Sequence, residues 1–191
     1  MMRCVCGLAL TLALPFTAAS GHAQEENVNY PDRATVIEQL GLEAHIEGGY
    51  FKRTFQADHR PRVDQGDGPR FTMTSIFYLL TQDSPVGHFH RNRSDIIHYY
   101  HLGGPIHYYM IHPDGRLETA VLGPDLAAGQ QLQLTVKGGV WKASHLPGGD
   151  YGLISEAVSP GFEYADMRLG ERDAMLQAFP QHAAVIKPYT R

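Results

Sequence analysis

Cysteine is nearly absent from this 191-residue chain, and the two present, Cys4 and Cys6, stand within its first six residues. Everything downstream is thiol-free, which excludes a disulfide framework, a cysteine metal ligand and a cysteine nucleophile there. Runs of basic residues are also missing, and the formal net charge is −4; that argues against nucleic acid as a partner. No G-x-S-x-G nucleophile motif occurs, and no glycine loop built to cradle phosphate precedes a helix. There are no internal repeats or low-complexity tracts. After the N-terminal region no apolar run is long enough to span a bilayer.

The first residues read as an export signal. Arg3 supplies the positive start, Val5 to Ala19 the apolar stretch, and Gly21-His22-Ala23 the small residues of a cleavage site. The competing reading, a membrane anchor, is opposed by the short apolar run and its interruption at Pro15. Residues 1–23 are therefore expected to be removed, with 24–30 a loose leader and the product periplasmic or secreted and not held in a membrane. Both cysteines precede the apolar stretch, so a lipoprotein anchor is not indicated. Cleavage takes away one of 16 basic residues and none of the 20 acidic ones, moving the formal charge from −4 to −5.

What the remainder has is turn residues and short β-prone runs. Glycine (20) and proline (12) recur through the chain and divide it into many short segments. Pro31 to Leu40 is expected to be a helix stopped by Gly41. Strands are expected at 50–55, 71–80, 96–102, 106–112, 117–122, 131–136, 140–146 and 151–158, and a short helix at 174–179 stopped by Pro180. Asp58 to Arg70 reads as an exposed loop. The pattern calls for one all-β domain over 31–188, a double-sheet antiparallel jelly-roll barrel with a short helix at each end.

The stretch Gly87 to Pro105 concentrates the chemistry, with His88, His90, His98 and His101 among eleven histidines. In a regular strand, residues two apart share a face, so His88 and His90 would present both imidazoles to one cavity. Ile96, His98 and Tyr100 share another strand face.

His88-x-His90, with Ser94-Asp95, His98-x-Tyr100 and Gly104-Pro105 following, resembles the first motif of the cupin superfamily. His45-x-Glu47-Gly48-Gly49-Tyr50-Phe51 precedes it; Gly139-x-Trp141, Gly149-Asp150-Tyr151 and Ser159-Pro160-Gly161-Phe162 follow. This ordered series is similar to an uncharacterised branch of the cupins, over nearly all of 41–179. The resemblance implies a deoxysugar-epimerase-like jelly roll, commonly a homodimer, with a deep barrel pocket and no established reaction. It also shows departures. Ile96 stands where the pattern has glutamate, Lys142 where the general second motif has histidine, and Lys52-Arg53 where a basic-acidic pair is usual.

Two chemistries follow for the pocket. A metal site would use His88, His90 and His98 to hold Ni, Fe, Mn or Zn, as in a cupin oxygenase or lyase; Ile96 weighs against it. An organic-ligand site would use His88, Arg53, Arg91, Lys142 and Tyr78 to bind a sugar or organic acid. His90, His98 and Tyr100 would then move protons in an isomerase- or epimerase-like step, and no cofactor would be needed. A third reading is a non-catalytic interaction scaffold. Glu47 is expected to shape a turn, and Trp141 to pack.

Overall fold

A computed structural model describes residues 30–66 and 68–191; the expected signal and most of the leader lie outside the described residues. The elements in chain order are α1 (Arg33–Leu40), β1 (Glu43–Ala44), β2 (Tyr50–Gln56), β3 (Val63–Asp64), β4 (Pro69–Arg70), β5 (Thr74–Thr81), β6 (Val86–Asn92) and β7 (Asp95–Gly103). They continue with β8 (Ile106–Ile111), β9 (Leu117–Leu122), β10 (Gln133–Val136), β11 (Trp141–His145), β12 (Tyr151–Ser159), β13 (Met167–Leu169), α2 (Arg172–Ala178) and α3 (Ala183–Ile186).

Two antiparallel sheets face each other. The larger runs β1-β2-β5-β12-β7-β10 and the smaller β13-β6-β11-β8-β9. The expected hairpin is present as β8 and β9, with Ile106 opposite Leu122 across the Pro113-Asp114-Gly115 turn. Inward residues of both sheets make the main core: Tyr78, Leu80 and Ile154 from one, Ile106, Tyr108 and Met110 from the other. This is the double-sheet jelly roll anticipated from the strand and turn pattern.

Helices cover part of each outer face. The Asp32 carboxylate accepts the Thr35 N–H at 2.8 Å to cap α1, and Gly41 closes the helix in the left-handed region at φ 61°. Val36, Ile37 and Leu40 then pack on Leu79, Leu102 and Leu153 of the larger sheet. At the other end the chain forms two helices where the sequence suggested one. α2 ends before Phe179, a 3₁₀ turn spans Pro180–His182, and α3 follows. Proline stops α2, yet its fixed φ suits the start of the next turn. Met175 and Ile186 from these helices bury Phe89, Ile111 and Ala143 of the smaller sheet.

One irregularity shapes the site. Along β6 and β11, Lys142 pairs with His90 but Ser144 pairs with Gly87, so β6 carries one extra residue between the two pairs. Such a bulge resets the alternation of side chains.

Candidate functional site

The barrel interior holds a polar cluster gathered from four strands and one turn. Because Lys142 and His90 are opposite one another, both point inward. His98 enters from β7, with Ile96 inward beside it and Ile97 on the other face, as alternation requires. Glu156 enters from β12, in step with Ile154 and Val158. Glu47 comes from the turn before β2.

That turn is held by its backbone. The Glu47 carbonyl accepts the His88 N–H at 2.7 Å, and the Glu47 N–H donates to His45 Nδ1 at 3.3 Å. Gly48, at φ 100°, lies so close to the Val86 carbonyl that a Cβ would collide with it. Its own carbonyl accepts the Tyr78 hydroxyl at 2.8 Å. A glycine is required here for Glu47 to reach the interior.

Two carboxyls of opposite character face one cavity of about 40 Å³, bordered also by His45, Arg53, Asn92 and Tyr164. A cavity of this size holds at most a few waters or a small molecular fragment. Burial pushes the Glu47 carboxyl up to about 8, against the pull of Lys142, so it is largely protonated at neutral pH. Burial also acts on Glu156, but Lys142 and His98 outweigh it and hold that carboxyl below its usual range. Lys142 Nζ lies 3.4 Å and His98 Nδ1 3.2 Å from Glu156 Oε1.

The imidazoles are in matching states. Burial, and then the Lys142 charge, hold His90 well below the usual histidine range and lower His98 in the same way. His90 Nδ1 donates to the His88 carbonyl at 2.8 Å, leaving Nε2 unprotonated. That Nε2 stands 3.3 Å from Glu47 Oε2, but without hydrogen-bond alignment, and it has no partner. His98 Nε2 and Asn92 Oδ1 are likewise buried without partners. Buried polar atoms left unpaired in a polar cavity are suited to a ligand's own donors and acceptors. Burial lowers His45 to about 4, and its ring stacks on Tyr164 at 6.2 Å.

The remaining predicted residues scatter. The bulge turns His88 away from the interior; burial and then the charge of Arg191 lower it, which puts it beside the C-terminal tail. Arg91 lies outside, its guanidinium 4.8 Å from the Trp141 ring. Arg53 borders the cavity and donates to the Phe162 carbonyl at 3.1 Å. Tyr78 is buried with its hydroxyl engaged, as above. Tyr100 packs at the edge of the core and gives its hydroxyl to the Gly103 carbonyl at 2.5 Å, so it is not a cavity residue. The expectation that Glu47 only shapes a turn is incomplete, because its side chain is in the cluster. Glu156 escaped the sequence reading altogether. Its signal was a single acid at an inward phase between Ile154 and Val158.

The donors do not fit a divalent metal. His88 is on the wrong side of the bulge, and Lys142 Nζ, 3.4 Å from Glu156 Oε1, already supplies a cation to that carboxylate. Among the described residues no three His, Cys, Asp or Glu side chains converge as ligands.

A jelly-roll barrel with a histidine- and carboxyl-lined interior defines a cupin. The chain belongs to the family described as "Cupin superfamily (DUF985)", whose pattern matches residues 34–170. It is 37% identical to an uncharacterized protein of Saccharomyces cerevisiae, YML079W, over 87% of this chain and 92% of that one. Two solved structures resemble it, each with a TM-score of 0.78. They are a hypothetical protein from Leishmania major (31% identical, 84% of this chain and 99% of that one) and SO0799 from Shewanella oneidensis (36%, 85% and 99%).

Proposed function

We propose that the barrel takes in the reacting end of a small polar molecule, a sugar or an organic acid, and exchanges a proton with it through Glu47 and His90. The observation that carries this reading is the pair Glu47 and Glu156, which border one cavity in opposite protonation states. Environments that push two carboxyls apart separate an acid from a fixed charge. Protonated Glu47 donates; His90 Nε2, with its proton on Nδ1, accepts. Together they suit an isomerase-like transfer at a carbon beside a carbonyl. Glu156 stays ionised, balances Lys142 and orients His98. Arg53 at the mouth favours an acidic or phosphorylated end on the bound molecule.

The experiment is hydrogen–deuterium exchange. Hydroxy acids, keto acids and aldose or ketose sugars are incubated with the protein in D₂O and followed by proton NMR. One class should lose a C–H signal beside its carbonyl, and Glu47→Gln and His90→Ala should abolish that loss, whereas His88→Ala should retain it. Exchange in no class, or exchange surviving Glu47→Gln, would reject the reading. The export reading remains part of the proposal: N-terminal sequencing of protein recovered outside the cytoplasm should begin at Gln24.

A further inference from the structure

We propose that the outer face of the smaller sheet carries a second site, independent of the barrel cavity, for an organic anion with an apolar body. Arg91 of β6 and Arg168 of β13 are direct cross-strand partners. They therefore stand side by side on one face, and like charges in that relation are destabilising. Trp141 of β11 flanks Arg91 from the other side in the same row. The guanidinium lies 4.8 Å from the centre of its ring, a cation–π contact that uses none of its N–H donors, which suit an oxyanion.

Among the described residues Arg91 and Arg168 have no ion-pair partner. The near candidate, Asp166, is engaged by Arg70 at 2.6 and 2.9 Å and approached by Arg93 at 3.5 Å. Glu171 borders the same region.

The two arginines sit on a ridge between concavities of different character. On one side is a groove of about 630 Å³ with Trp141, Met167, Leu169, Met175 and Phe179 in its walls. On the other is a polar hollow of about 520 Å³ with Asn92, Gly138 and Gly139. The groove is within the size range of small-molecule sites. Apolar walls ending at two adjacent unpaired guanidiniums match a carboxylate on a hydrocarbon chain or ring, the head on the arginines and the body over Trp141 and Met175. Tyr164 borders both this groove and the barrel cavity, and Asn92 both the hollow and that cavity, so the sites adjoin through these two side chains while the two arginines and Trp141 border only the outer one.

Trp141 is the chain's single tryptophan, so its fluorescence reports on this site directly. Titration of the folded protein with octanoate should give a saturable change, with octanol and inorganic phosphate each binding far more weakly. Arg168→Gln, at an exposed position that leaves the Trp141 stack intact, should weaken octanoate about tenfold or more through the lost charge-assisted bonds. Arg91→Gln should do the same, with circular dichroism confirming the fold. Glu47→Gln should leave the titration unchanged, which separates this site from the barrel reading. An unsaturable response, equal binding of octanol, or unchanged affinity in Arg168→Gln would overturn the proposal.

Discussion

Glu47 Oε2 and His90 Nε2 approach to 3.3 Å inside the barrel, one carrying a proton at neutral pH and the other a lone pair. Their unfolded values lie in the reverse order, Glu below His. Burial, the largest cause at both groups, inverts them. The reversal makes Glu47 the acid of the pair, and it also ties the site to the stability of the fold.

The first prediction is a decline in stability toward alkaline pH that Glu47 causes. Its folded value of about 8 exceeds the ordinary 4.5, so the folded state holds a proton that the unfolded state releases. Stability should fall as pH rises from about 4.5 to about 8, by at most roughly 1.4 kcal/mol per pH unit. Glu47→Gln should flatten this limb. Denaturant unfolding between pH 5 and 8 tests it, and parallel curves for the two proteins would exclude Glu47 as the cause.

Glu156 acts with the opposite sign. Its depressed value means that its contribution is complete above about 4.5 and is lost as pH falls toward the folded value. At neutral pH, Glu156→Gln leaves the Lys142 ammonium buried without a counter-charge and should destabilise by about 3–5 kcal/mol. Replacing both, as Lys142→Met with Glu156→Leu, should be milder than the single change. Urea midpoints of the three variants decide this; a double variant worse than Glu156→Gln would mean that His98 depends on the carboxylate more than Lys142 does.

Self-association is predicted through the larger sheet. α1 covers Leu79, Leu102 and Leu153, whereas Ile97 and Tyr99, on the same outer face, are half-buried and outside that cluster. Their cross-strand neighbours are small on β12, Ala157 and Ser155, and polar on β10, Thr135 and Gln133, so a short apolar strip with a polar border is offered to a two-fold partner. Sedimentation at micromolar concentration should give a dimer mass, and Ile97→Glu should give a folded monomer. A wild-type monomer would leave that strip as ordinary surface.

Much of the fold was legible before any coordinates. Gly41, Pro113-Asp114-Gly115 and Pro180 mark element ends through backbone restrictions that act locally, and they do so here. Alternation put Ile96 and His98 on one face, and the structure agrees. Lys142, expected among the ligand-binding residues, is inward opposite His90. Where the ladder is regular, a period of two carries the side chain's direction in the sequence itself.

The site was legible only in part. His88 and His90 obey the spacing rule on paper, yet one extra residue in β6 places them on different sides, and nothing in His-Phe-His announces a bulge. Tyr100 shares a phase with His98 but spends its hydroxyl on Gly103. Glu47 looked like a turn residue because it is one; that its side chain is also buried follows from Gly48 fitting beneath the Val86 carbonyl. Glu156 lies more than fifty residues beyond His98 in the chain and 3.2 Å from it in space.

The sequence by itself determined the strand spacing, the turns, the helix ends and the family, because these rest on local sterics and on the order of motifs. Only the tertiary structure decided which polar groups meet and in what protonation state. That depends on burial and on charges brought together from distant strands. Glu47 and Glu156 have the same side chain, and the enclosing barrel alone makes one an acid and the other an anion.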